Sequence, residues 1–372
     1  MRNFAFAQAR GRIHYPELDS IRGLGFLVVF TYHASGLSEL LKEGSLGLYV
    51  FKKSGPFAIE TFFVLSSFLL TWLALNEEKR KGKFSIRNYF MRRILRIWPL
   101  YFLIMAIGFI AIPLLASHSG QTLTLPNKWY YLLFIANFYT LPHVYFLQFL
   151  WSISVEEQFY FIWGFSLKFL MKHIKWIAFV IMAISVGFTV HRISHQTPKY
   201  FHTLNYFFDF ACGALAAYTL FIRNRIVRIF SNFNRFHTTL YYLALPILFV
   251  LFYFLEKNNP GIAGDFYSLL FRYLFIIYVA LLIIEQLTNP SRTKVFGKNK
   301  FLILTGKISY GLYCFHGINI TLAGLIVSRF FPDLPIIITY IGTFIFNYVL
   351  AWTIYTYYEL PFLRLKEKWK GA

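Results

Sequence analysis

The sequence predicts an all-α, polytopic membrane protein with about ten transmembrane helices and a re-entrant segment between the third and fourth. Three observations carry this. Of 372 residues, 57% are hydrophobic, 21% aromatic and only 14% charged, which is too apolar for an ordinary water-soluble domain. Apolar windows close to the ~17–25 residues that cross a bilayer recur along the whole chain, for example at 56–75, 98–116, 239–255 and 336–357. Lys and Arg concentrate between such windows, so the net charge of +21 is accounted for by cytoplasmic loops without invoking nucleic acid.

Taken in order, the expected helices are 18–37, 56–75, 98–116, 152–171, 176–191, 203–221, 239–255, 265–287, 305–328 and 336–357. The first is too long and too internally charged for a cleavable signal peptide, and no small-residue cleavage site follows it. Between the third and fourth lies "WYYLLFIANFYTLPHVYFLQFL", residues 129–150, interrupted by Pro142 and diluted by Asn137, His143 and Gln148. Charge counting decides its path. If it dips in and returns, 25 Lys/Arg outside the helices fall on the cytoplasmic side and 8 on the outer side, with both termini cytoplasmic; if it spans, the count becomes 15 against 18. The positive-inside rule favours the re-entrant path. Irregular backbone at that depth needs protein or water to satisfy it, so a cavity is expected beside it.

No 20–50-residue repeat and no Gly/Ser-rich linker occurs, and residues 1–372 are expected to form a single membrane-embedded domain with no appended soluble one. The two cysteines, Cys212 and Cys314, lie far apart in apolar segments and imply neither a disulfide framework nor a thiolate metal site.

Three constellations carry chemistry. In "LDSIRGLGFLVVFTYH", residues 18–33, Asp19 and His33 are two heptads apart and Arg22 and His33 eleven residues apart, so all three share a narrow sector of one helix face. Arg22 sits at the cytoplasmic entrance, with His33 roughly 16 Å further along the axis. Titratable groups at that depth usually face a protein interior or a water-filled path. In "NEEKRKGKFSIRNYFMRRILR", residues 76–96, Lys79, Arg80, Lys81 and Lys83 suit lipid headgroups, whereas Arg93 and Arg96 are three apart on a helix entering the membrane and can converge on one anion. In "LWSISVEEQFYF", residues 150–161, Glu156 shares a face with Ser152 and Tyr160, while Glu157 turns toward Ser154. These hydroxyls give a polar lining that suits a sugar better than an ion or a lipid tail. A metal-like spacing, His191 and His195 in "HRISH" with His202 beyond, lacks the glutamate of a metalloprotease helix and reads as interfacial histidines, so no metal site is expected.

Together these residues resemble the membrane acyltransferase-3 family. Its first helix reads approximately "LDGLRG" followed by a histidine; here "LDSIRG" leads to His33, with ten residues between Arg22 and His33. Its second helix carries an acidic residue before "FFVLSGFL", matched by Glu60 and "FFVLSSFLL". Arg93 and Arg96 before "IWPLY" match its Arg-x-x-Arg, and 151–160 match "WSLSVEEQFY" almost letter for letter. "ISYGLYCFH" at 308–316 and "YYELP" at 357–361 resemble its late motifs. The matches run in order from 18 to 361. Ser20 and Ser67 replace glycines, and Cys314-Phe315 replaces the commoner Leu-Trp.

The resemblance implies a multi-pass enzyme of the bacterial inner membrane. It would transfer a short acyl group, most simply acetyl, from cytoplasmic acyl-coenzyme A to a hydroxyl of a cell-surface carbohydrate such as a polysaccharide or lipopolysaccharide, with no permanently bound cofactor. On it, His33 is expected as general base on the acceptor hydroxyl, with acceptance of the acyl group by His33 itself as the alternative, supported by Asp19 and Arg22, and Arg22, Arg93 and Arg96 are expected at the donor. Glu60, Trp151, Ser152, Ser154, Glu156, Glu157, Tyr160, Tyr310, His316 and Glu359 are expected around the acceptor. A transporter or flippase of a glycan or glycolipid would also carry polar stripes in apolar helices, but neither inverted repeats nor paired broken helices are seen.

Overall fold

The computed structural model describes residues 15–34, 37–118, 123–139, 145–196, 201–365 and 369. Among them every regular element is helical, and ten helices have sixteen residues or more. They are α1 (Pro16–His33), α2 (Leu46–Lys81), α3 (Ile86–Ala106), α4 (Trp151–Leu170), α5 (Ile174–Ser194), α6 (Phe207–Ile222), α7 (Arg235–Asn258), α8 (Ile262–Thr288), α9 (Lys300–Phe330) and α10 (Ile336–Ile354).

Among the described residues, eight helical runs are long and apolar enough to cross a membrane, and the protein is a multi-pass membrane protein. One of the eight, 146–194, holds both α4 and α5. At ~1.5 Å per residue an unbroken run of that length would be more than twice the hydrocarbon thickness. The backbone leaves helical geometry at Leu170 (φ −129°, ψ 23°) and His173 (φ −105°, ψ 9°), dividing the run into two helices of 20 and 21 residues that pack on each other. α1 is not among the eight, because Glu17, Asp19 and Arg22 all lie within its 18 residues.

Several helices begin and end where short-range chemistry dictates. Ser45, Ser85 and Asn299 accept from Leu48, Asn88 and Leu302 N–H groups at the starts of α2, α3 and α9. α2 stops at Gly82, whose φ of 70° places its N–H on the Glu78 carbonyl. α2 starts ten residues before its predicted boundary and runs through Pro56. α3 continues through a π turn, Ile107–Ala111, and α10 through another, Tyr355–Glu359.

The stretch 129–150 forms no described helix longer than five residues: Lys128–Leu132, Ala136–Phe138 and Tyr145–Gln148. Pro142 and His143 lie outside the described residues. The segment is folded into the protein, with Tyr131, Asn137, Leu147 and Leu150 all buried. A closed cycle of bonds holds it. Gln158 Nε2 donates to Phe134 O and Asn137 Oδ1, Asn137 Nδ2 donates to Phe201 O and Thr203 Oγ1, and the Thr203 hydroxyl donates to Gln158 Oε1. The backbone carbonyls of half-buried Phe134 and Phe201 are satisfied in this way without a regular helix.

α2 and α6 are central and α7 and α10 peripheral: 83% and 67% of the apolar windows of the first two are buried, against 11% and 17% for the runs containing the others. The exposed faces of α7 and α10, with Leu243, Ile247, Leu251, Ile341, Ile345 and Val349, are lipid-facing surfaces. α1 packs against α9 and α2, and the α1–α9 approach depends on glycine. A Cβ on Gly306 would lie 1.8 Å from Asp19 O, and one on Gly23 would lie 2.2 Å from Leu302 O. Backbones this close admit no side chain. Gly213 does the same for α6 against α2, with Ser67 Oγ and Val64 O at 2.0 and 2.2 Å from its Cβ position, so the family glycine replaced by Ser67 is matched by a glycine opposite.

Candidate active site

Two cavities lie one beyond the other along α1. The first, about 100 Å³, is lined by Arg22 from α1, Arg93 and Arg96 from α3, Glu156 and Tyr160 from α4, Ser66 from α2, and Tyr310 and Tyr313 from α9, among others. The second, about 270 Å³, is lined by His33, Glu60, Trp151, Phe149, Phe201 and Tyr206, with Tyr32, Pro56, Ile59 and Gln148. Ile59 lines both. The wall between them is hydrogen-bonded: Ser152 and Tyr313 hydroxyls are 2.8 Å apart, and both reach Phe149 O, at 3.3 and 3.1 Å.

In the first cavity three guanidinium groups face one carboxylate. Tyr160 donates to Glu156 Oε2 at 2.7 Å and its hydroxyl also bonds that of Ser66. The Arg93 guanidinium lies 5.6 Å from the Tyr160 ring centre, and its buried Nε has no hydrogen-bond partner among the described residues. Arg22 Nη1 is 3.6 Å from Asp19 Oδ1, one helical turn away. The surplus of positive charge, carried by planar donors, suits an anion such as a phosphate.

In the second cavity the two histidines meet. His316 Nε2 lies 3.3 Å from His33 Nδ1, and Phe149 packs its ring against both imidazoles at 4.5 and 4.2 Å. Trp151 stacks on Phe201 at 4.1 Å, with 15° between the planes. Glu60 accepts from Arg272 Nε at 2.6 Å through one oxygen, while Oε2 is buried without a partner among the described residues. An aromatic wall with a carboxylate and an imidazole suits a polyhydroxylated ligand.

From the sequence, Glu156 and Tyr160 are expected beside the acceptor; in the structure they line one cavity with Arg22, Arg93 and Arg96. Ser152 and Tyr310 line that same cavity. Glu60 and Trp151 lie with His33, and His316 touches it. Ser154, Glu157 and Glu359 line neither cavity. Ser154 is fully buried and bonds Leu150 O, Glu157 accepts from Trp98 Nε1 at 3.2 Å, and Glu359 ends the π turn after α10 against Gly311. The rings of His191 and His195 lie 4.2 Å apart, tilted by 35°, and His202 sits between Phe138 and Phe188.

Two residues escape the motif reading. Arg272 on α8 holds Glu60 and donates through Nη2 to both oxygens of fully buried Asp209 on α6, at 2.7 and 2.9 Å. Each is a lone charge in an apolar run, "SLLFRYLF" and "NYFFDFACG", and that isolation is the signal that would have found them.

Residues 15–356 match the family described as "Acyltransferase domain". The chain belongs to the membrane acyltransferase-3 family. It is 25% identical over 381 aligned residues to "Putative O-acetyltransferase SACOL0978" of Staphylococcus aureus strain COL, covering 96% of this chain and 58% of the relative. It is 26% identical over 326 residues to the O-acetyltransferase OatA of S. aureus strain NCTC 8325, covering 82% of this chain and 50% of that protein. The chain thus spans about half the length of the curated relatives it matches. No solved structure matches at a significant level.

Proposed function

We propose that this chain is an acyltransferase that moves a short acyl group, most simply acetyl, from acyl-coenzyme A to a hydroxyl of a cell-surface carbohydrate. One observation carries the reading: a single helix, α1, presents Arg22 to a cationic cavity and His33 to an aromatic one, with a thin hydrogen-bonded wall between. The phosphate-rich donor belongs with Arg22, Arg93 and Arg96, and the acceptor with Trp151, Glu60 and His33. The relatives' names, O-acetyltransferases, favour acetyl over larger groups.

In this reading the acceptor hydroxyl gives its proton to His33 as its oxygen attacks the thioester carbonyl carbon; the C–S bond breaks, and the proton passes to the departing sulfur. Both substrates approach the imidazole from opposite faces of the membrane. That requires the ten-span arrangement with both termini cytoplasmic and 129–150 re-entrant, in the inner membrane of a bacterium. The charge distribution and the broken helices of 129–150 support it.

The test is to incubate the purified protein with labelled acetyl-coenzyme A and surface-glycan extracts. Acceptor-dependent release of free coenzyme A and label in the glycan are expected for the wild type and absent for His33→Ala that folds and inserts normally. Binding of glycan without any release of coenzyme A would instead make the protein a glycan carrier.

A further inference from the structure

We propose that Gln148 and Tyr206 bind the acceptor, and that the sugar residue they hold carries no acidic group. This rests on the reading of the second cavity as the acceptor site. Three polar side-chain ends among the residues lining that cavity, the Tyr32 and Tyr206 hydroxyls and the Gln148 amide, form no hydrogen bond with any described residue. Elsewhere in the bundle such groups are spent on the protein: the Tyr101, Tyr310 and Tyr313 hydroxyls each donate to a backbone carbonyl. Polar ends that line a cavity and are not used by the fold are the ones left for a ligand. Tyr206 closes the short turn Thr203–Tyr206 ahead of α6, and its ring is fixed from three sides. The Arg272 guanidinium lies 5.6 Å from the ring centre, and the Phe63 and Trp151 rings lie at 5.2 and 5.4 Å. The hydroxyl is thus held in place without being consumed. Gln148 ends the short helix Tyr145–Gln148, next to the Phe149 that packs on His33. An amide offers two N–H donors and a carbonyl acceptor, and a phenol offers one O–H and its lone pairs. Together they complement neighbouring sugar hydroxyls or an acetamido group.

The charges around the cavity exclude an acid. Among the described residues no Lys or Arg lines it, and Glu60 is its only carboxylate. The cation that Glu60 touches, Arg272, is shared with Asp209, so the three side chains together offer no positive charge to a ligand. Lys53, seven residues before Glu60 on α2, is taken by Glu256 at 2.9 Å. A ligand carboxylate entering here would meet no counterion and would lie near another carboxylate, and an unpaired charge in such surroundings is costly. A neutral sugar meets only hydrogen-bonding groups and aromatic rings, and the ammonium of an amino sugar would find Glu60.

Two measurements test this with the purified full chain, labelled acetyl-coenzyme A and surface-glycan extracts. In the first, the labelled product of the wild type is fragmented by tandem mass spectrometry to find the sugar residue that carries the label. A neutral or amino sugar is expected, and label on a uronic or other acidic sugar overturns the proposal. In the second, Tyr206→Phe and Gln148→Leu are compared with the wild type. Tyr206→Phe keeps the ring against Arg272, Phe63 and Trp151 and removes only the hydroxyl, so the fold is not disturbed. Each variant is expected to raise KM for the acceptor about five- to tenfold, the loss of one uncharged hydrogen bond, with KM for acetyl-coenzyme A changed less than about twofold. Side chains that serve the fold alone would leave the acceptor KM where it is or move both constants together. An unchanged acceptor KM in either variant, or equal changes in both constants, overturns the proposal. A wild type that releases no coenzyme A with any glycan gives a different result, the failure of the transfer reading itself.

Discussion

Replacing Arg272 with glutamine tests what holds the centre of the bundle. Its guanidinium joins three helices: Nε donates to Glu60 on α2 at 2.6 Å, and Nη2 donates to both oxygens of Asp209 on α6 at 2.7 and 2.9 Å. Asp209 has no exposed surface and Glu60 only 4%. The substitution removes three charge-assisted bonds and leaves two buried carboxylates near each other with their shared ion-pair partner gone. Breaking one buried ion pair from one side costs about 3–5 kcal/mol. Two carboxylates lose the same cation here, so a destabilisation of about 5 kcal/mol is expected. Removing all three charges together, as Glu60→Gln, Asp209→Asn and Arg272→Gln, is expected to bring stability back to within about 2 kcal/mol of the wild type, because no uncompensated charge remains. Reversible unfolding in mixed micelles of rising detergent strength, followed by the fluorescence of the eight tryptophans, measures both. A single variant as stable as the wild type, or a triple variant less stable than the single one, would refute the reasoning.

At the α1–α9 crossing, Gly306→Leu should abolish recovery of folded protein, whereas Gly324→Ala on the same helix, with nothing within 4 Å of its Cβ position, should leave yield and melting unchanged or slightly improved; detergent-stable yield reads both. Arg93→Ala and Arg96→Ala should each raise KM for acyl-coenzyme A about ten- to a hundredfold, from the ~1.5–3 kcal/mol of a charge-assisted bond, and exposed Lys81→Ala should change it little. Equal effects of all three would reduce the cavity to general headgroup attraction. With both native cysteines changed to serine, a cysteine at Lys257 should react with an impermeant thiol reagent on intact cells, and one at Arg225 or Lys298 only after the membrane is opened. Outside labelling at 225 or 298 would mean that 129–150 spans.

The helices and the polar clusters on α1 and α3 are legible in the sequence because each rests on a local pattern. Hydrophobic length sets the spans, seven- and eleven-residue spacings put Asp19, Arg22 and His33 on one face, and Arg93 and Arg96 stand one turn apart. Depth across different helices is another matter. Glu156 follows "WSISV" at the start of α4, and nothing in that spacing says that α1 and α3 bring their arginines up to meet it; only the packing does. The arrangement of Glu60, Arg272 and Asp209 is similarly non-local, with partners 63 and 212 residues apart in sequence. The cycle of Gln158, Asn137 and Thr203 has no periodic signature, because Gln158 and Asn137 satisfy irregular backbone that no pattern announces.

The glycine crossing of α1 and α9 also works as a ruler. Gly23 meets the α9 backbone at Leu302 and Gly306, and the helices run in the same direction, since their later residues meet in the same order. His33 lies ten positions after Gly23, and His316 ten positions after Gly306. Two rods pinned at one end and cut to the same length bring their tips level, so the pin at the glycines sets how the imidazoles meet. Inserting one residue into either interval would advance that tip by about 1.5 Å and turn it by about 100°, and would separate the rings without touching either histidine. Along this lineage, insertions and deletions between glycine and histidine are therefore expected to be absent or to occur in both helices together.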